Sequence, residues 1–164
     1  MKTLFLLRHA KAEKAGPSMS DFKRPLAESG INDAKLVSEA LKHKKLIPEK
    51  IISSDALRAC STAYLFAETF GIKKDEVELR NSLYDCTERD YFDVISNISD
   101  SFSSCMIAGH NDTITGVAEK LIRKTMDNMK TCCVVVITSE AKTWNEFKSS
   151  RCALQLTLFP ALFA

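Results

Sequence analysis

Three short segments concentrate cations and imidazoles in a chain with only three histidines: Arg8-His9, Ser53-Ser54-Asp55-Ala56-Leu57-Arg58 and Gly109-His110-Asn111. An imidazole works near neutral pH as nucleophile or hydrogen-bond donor. A guanidinium presents a planar fork of donors matched to anionic oxygens. Two of each around one small volume make a pocket for a dianion such as a phosphoryl group. Taken singly, an Arg-His pair is an ordinary polar strand end, Gly-His-Asn an ordinary turn, and Arg58 a solvated helix residue. Their ordered co-occurrence carries the reading, together with the placement of Arg58 at a positive helix end that calls for an anion nearby. His43, inside the basic run Lys42–Lys45, reads as a surface residue.

Other chemistries find little to build on. None of the six cysteines (Cys60, Cys86, Cys105, Cys132, Cys133, Cys152) is followed six residues later by arginine, so the thiolate loop of cysteine phosphatases is missing. There is no Cys-x-x-Cys, His-x-His or His-Glu-x-x-His, and no metal or other cofactor is expected.

For the three segments to meet, each must end a strand of one sheet. Short apolar runs predict strands at 3–7, 50–53, 76–79, 105–108, 132–137 and 154–158. Between them, helical spacing predicts a helix capped by Ser29 and ending at Lys42–Lys45, one over 57–70 stopped by Gly71, a shorter one over 90–98, and one from Asp112 or Thr113 to Arg123. Such alternation predicts an α/β three-layer sandwich, with a mostly parallel central sheet flanked by helices. In such sheets ligands bind at the carboxyl ends of the strands, where the three segments stand.

Composition sets the outer limits. With Lys+Arg at 23 against Asp+Glu at 21 in 164 residues, the net charge of +2 argues against nucleic acid held on a broad basic face. The longest apolar run, Cys132–Ile137, falls far short of the ~18 residues of a membrane span. The N-terminal run Thr3–Leu7 is also shorter than the ~7–15 residues of a signal-peptide core. A single domain over 1–164, cytoplasmic and monomeric, with reduced thiols serving mostly as small core hydrophobes, is the expectation.

With these residues in place, the sequence resembles the histidine phosphatase superfamily, whose phosphoglycerate mutase-like members carry Arg-His-Gly after the first strand. The order Arg8-His9, then Ser-x-x-x-x-Arg58-Ala59, then Gly109-His110-Asn111 matches over most of the chain. The short phosphohistidine phosphatases of the SixA type are the most similar. Asp21-x-x-Arg24-Pro25-Leu26 with Gly30 resembles their second block, Gly109-His110-Asn111 has their Asn variant, and Trp144 before an apolar final strand is similar to their ends. Two departures are Ala10 in place of the usual Gly, which demands a backbone without positive φ, and Ser54-Asp55 in place of Ser-Pro.

The resemblance implies a phosphoglycerate mutase-like fold and a metal-independent phosphatase. His9 would be the nucleophile, with Arg8, Arg58 and His110 neutralising charge. Arg24 and Asn111 would contact phosphate, although Arg24 is equally suited to anchor its loop to Asp21. Glu88 and Asp90 are candidates for a general acid, or simply members of a solvated loop. The substrate is expected to be phosphohistidine on a protein partner. A small phosphorylated molecule hydrolysed as a phosphomonoester, or a non-catalytic phospho-residue binding module, are the alternatives.

Overall fold

Side chains of the first strand, β1 (Lys2–Arg8), alternate between two apolar clusters: Leu4 and Leu6 enter one, Phe5 and Leu7 the other. This period of two is what a strand buried on both faces requires. The same alternation recurs in β2 (Lys50–Ser54), β4 (Ser104–Gly109) and β5 (Val134–Ser139), with Ile52, Ile107 and Val135 on the first face and Ile51, Met106 and Val136 on the second. The structure is a computed structural model and describes residues 1–164.

With β3 (Glu78–Arg80) and β6 (Cys152–Leu158), the strands form one sheet in the order β3-β2-β4-β1-β5-β6. Pairs β1–β4, β2–β4 and β2–β3 are parallel, and β5 runs antiparallel to both β1 and β6. Helices α1 (Glu28–His43) and α2 (Leu57–Phe70) cover the second face, while α3 (Glu88–Ser96) and α4 (Thr113–Ile122) cover the first. The three-layer α/β sandwich with a mostly parallel sheet is therefore the observed fold. No helix is long and apolar enough to cross a membrane.

Element ends shift where local chemistry intervenes. Ala27, not Ser29, occupies the N-cap of α1, so that helix starts two residues earlier than expected. The helix expected over 90–98 begins at Glu88, because Asp90 accepts the Thr87 backbone N–H (2.7 Å) and hydroxyl (2.9 Å) in a capping box. Residues 74–76 form a short 3-10 turn, delaying β3 to Glu78. Cys132 adopts a left-handed conformation (φ 59°), so β5 starts only at Val134. All six cysteines are free thiols, and four of them are buried.

Two glycines are required by close approaches. A Cβ on Gly30 would lie 2.1 Å from the Lys11 carbonyl oxygen, and one on Gly109 would lie 1.7 Å from the Tyr91 hydroxyl. That phenol is the acceptor of the His110 backbone N–H at 3.2 Å. Gly109→Ala must therefore displace a fully buried ring, and we expect a loss of about 1–3 kcal/mol in denaturant unfolding. Tyr91→Phe in the same background should return part of it by removing the clashing oxygen.

Candidate active site

Parallel pairing places Arg8 of β1 directly beside Gly109 of β4, so His9 and His110 leave neighbouring strand ends together. Their rings lie 5.3 Å apart between centroids. β2, the other neighbour of β4, ends at Ser54 and turns within two residues into α2, whose second residue is Arg58. All three sequence segments thus converge at the carboxyl edge of the sheet.

His9 is buried, and its Nδ1–H donates to the carbonyl of Ala10 at 2.8 Å. A carbonyl only accepts, so the proton sits on Nδ1 and Nε2 carries the lone pair. Arg58 Nε–H points at that lone pair from 3.3 Å. Ala10 avoids positive φ, and its methyl is buried in the cluster with Phe5, Leu7 and Ala34. Its N–H donates to Thr62 Oγ1 (3.0 Å), and that hydroxyl donates to the Arg58 carbonyl (2.7 Å), clipping the loop after β1 onto α2.

Arg58 is held from behind by Asp21. Its terminal nitrogens donate to the Asp21 carbonyl oxygen (2.8 Å) and to Oδ2 (3.0 Å). Arg24 donates to Asp21 Oδ1 (3.0 Å) and to the Glu13 carbonyl (2.7 Å), so the loop-anchor role of Arg24 is realised in the structure. Tyr84 completes the set, its hydroxyl donating to Asp21 Oδ2 at 2.9 Å and its ring standing edge-on to His110 at 5.7 Å. Burial pushes the Asp21 carboxyl up, but the bonds from Arg24, Tyr84 and Arg58 outweigh it and hold it at about 2.

Arg8 donates to the Met129 carbonyl at 2.6 Å, leaving its buried Nε–H without a partner. Asn111 accepts a hydrogen bond from Thr115 through Oδ1. The structure does not bring Glu88 or Asp90 to the imidazoles. Glu88 forms an ion pair with Lys120 of α4, and Asp90 is occupied in the α3 cap. Tyr84 and Thr62 join this network although neither lies in the three sequence segments. Thr62 had a signal, standing four residues after Arg58 on the same helix face. Tyr84 had none, since its partner Asp21 lies 63 residues away.

Burial is the main force lowering both imidazoles. The Ala10 bond opposes it at His9 while Arg58, Arg8 and Arg24 reinforce it, bringing that ring to about 4; His9 and Arg58 reinforce it at His110, which falls to about 3. The unfolded chain protonates both near 6.5. Unfolding therefore takes up protons, so their contribution to stability is complete above about 6.5 and is lost as pH falls toward 4. Urea midpoints measured from pH 7 to 4 should fall, and the fall should be shallower in His110→Ala.

Comparison with known proteins fits this geometry. The family model described as histidine phosphatase superfamily (branch 1) matches residues 4–91, more than half of the chain. A chloroplastic protein of Arabidopsis thaliana is 29% identical over 153 residues, 88% of this chain and 70% of that one. A SixA protein of Agrobacterium tumefaciens, named as a phosphohistidine phosphatase, superposes with a TM-score of 0.83 at 25% identity over 97% of this chain and 99% of its own. A mycobacterial glucosyl-3-phosphoglycerate phosphatase shares the fold with a TM-score of 0.68 at 16% identity, over 95% of this chain and 98% of its own. On the family match and the shared fold, the chain belongs to the histidine phosphatase superfamily and is a hydrolase acting on phosphoryl groups.

Proposed function

We propose that this protein removes the phosphoryl group from phosphohistidine carried by a protein partner, through a covalent phosphohistidine on His9, without a metal. One observation carries the reading: His9 is fixed with Nε2 unprotonated, facing Arg58 and beside His110. The ring stays neutral down to about pH 4, as attack requires. Nε2 attacks phosphorus in line, and the substrate P–N bond breaks with its electron pair going to the substrate imidazole, which leaves neutral because its other ring nitrogen already carries a proton. Water then attacks the phosphohistidine and releases inorganic phosphate and neutral His9. Phosphoryl transfer asks mainly for positioning and charge neutralisation; Arg8 and Arg58 supply the positive charge, and His110 stands beside His9 as a neutral ring.

The leaving group follows from the carboxylates. Asp21, the carboxylate in this hydrogen-bond network, is held ionised at about 2 and has no proton to give at neutral pH. Alkoxide departure without an acid is slow, whereas imidazole departs readily from a phosphoramidate. The name of the SixA relative as a phosphohistidine phosphatase supports the same substrate.

Side-by-side turnover of a phosphohistidine-bearing protein and of 3-phosphoglycerate tests this. kcat/KM should be higher on the phosphoprotein, unchanged by EDTA, with an acid limb near pH 4 rather than 6.5. Efficient turnover of alkyl phosphates that Glu88→Gln abolishes would put the small-molecule phosphomonoesterase in first place. Phosphoprotein binding with no turnover at all would leave a binding module.

A further inference from the structure

His110 presents an unusual arrangement of satisfied and unsatisfied nitrogens. Its Nε2 lies 2.8 Å from Ser54 Oγ, while Nδ1 is buried with no partner. Ser54 is fully buried, and its Oγ already accepts the Ala56 backbone N–H at 3.2 Å. A hydroxyl has one hydrogen to donate. If Nε2–H donated to Ser54, the serine hydrogen would have no acceptor and Nδ1 would be a bare lone pair, leaving two buried groups unpaired. If instead Ser54 Oγ–H donates to Nε2, every group is paired except one, the Nδ1–H. Buried unpaired groups are costly, so the second arrangement is favoured. It also spares an incoming anion from meeting a lone pair.

We propose that Ser54 holds His110 in the Nδ1–H tautomer, so that a neutral imidazole offers its free N–H to a phosphoryl oxygen. His110 then acts as a dipolar donor in a pocket whose positive charge comes from Arg8 and Arg58. The groups facing it are His9, Tyr84, Arg58, Asp21 and Arg8. Ser54 is a positioning residue, acting through His110 and touching no substrate. The donor role rests on the reading that a phosphoryl group docks beside His9; the tautomer does not.

Long-range proton–nitrogen correlation spectra of the uniformly 15N-labelled full chain at pH 7 separate the two. The wild-type spectrum decides the tautomer whether or not any variant folds. Nδ1 of His110 should be the protonated nitrogen, and a protonated Nε2 would overturn the proposal. Added inorganic phosphate should shift the His110 Nδ1 resonance together with those of His9. Shifts at His9 alone would overturn the donor role, and shifts at neither ring would overturn the phosphoryl site and the donor role with it. Ser54→Ala should give a mixture of tautomers and lower kcat roughly tenfold with little change in KM. A variant that keeps the pure Nδ1–H tautomer would show that Ser54 does not set it.

Discussion

Quenched during turnover, the wild-type enzyme should carry phosphate in an acid-labile, alkali-stable bond, and His9→Ala should carry none. A phosphoramidate on imidazole has this stability, whereas phosphoserine survives acid. His9 Nε2 is the unprotonated ring nitrogen in a buried, cation-lined setting at this sheet edge, with Arg58 donating to it. The nearby serines are otherwise engaged, Ser53 Oγ–H with the Ser54 carbonyl (2.8 Å) and Ser54 with His110. Because Ala removes the group that forms the new bond, turnover should fall by on the order of 10⁴-fold or more, the remainder coming from the charged pocket. Circular dichroism should show the fold intact. An acid-stable phosphoester on Ser53 or Ser54 would overturn the assignment.

Arg58→Ala should lower kcat/KM by roughly 10²–10³-fold, about 3–4 kcal/mol, the cost of one preorganised electrostatic donor. Its guanidinium makes three directed bonds, to His9 Nε2, the Asp21 carbonyl and Asp21 Oδ2. Lysine offers one mobile point charge and cannot reproduce that fork, so Arg58→Lys should recover little. Asp21→Asn keeps Arg58 but loosens it. Since the Asp21 side chain is 51% exposed, that effect should be nearer tenfold, about 1.4 kcal/mol. Tyr84→Phe, which removes one hydrogen bond to Asp21, should cost less again. Steady-state kinetics on one substrate rank the four variants, and an Asp21→Asn loss equal to that of Arg58→Ala would move the central role to the carboxylate.

Much of this architecture was legible in the residues. Alternation in β1, β2, β4 and β5 marks strands buried on both faces, and helical spacing marks α1, α2 and α4, because side-chain direction repeats with a local period. Hence Arg8-His9, Arg58 and Gly109-His110 could be placed at strand ends before any contact was known. Boundaries were less legible at α3 and β3, where a capping box and a 3-10 turn, each set by one or two residues, decide the ends.

Sequence by itself determined which side chains stand at the ends of which strands; tertiary structure decided what each one faces. Arg58 reaches His9 across 49 residues, Asp21 across 37, and His110 reaches Ser54 across 56. Those meetings depend on the sheet order β2-β4-β1, which no local period encodes. Long-range packing pairs Glu88 with Lys120 of α4, whereas Asp90 is drawn into its own helix cap by a contact only three residues away. Tertiary structure also selected the His9 tautomer, because only in the folded chain does the buried Nδ1–H find the Ala10 carbonyl as its acceptor while Nε2 turns toward Arg58.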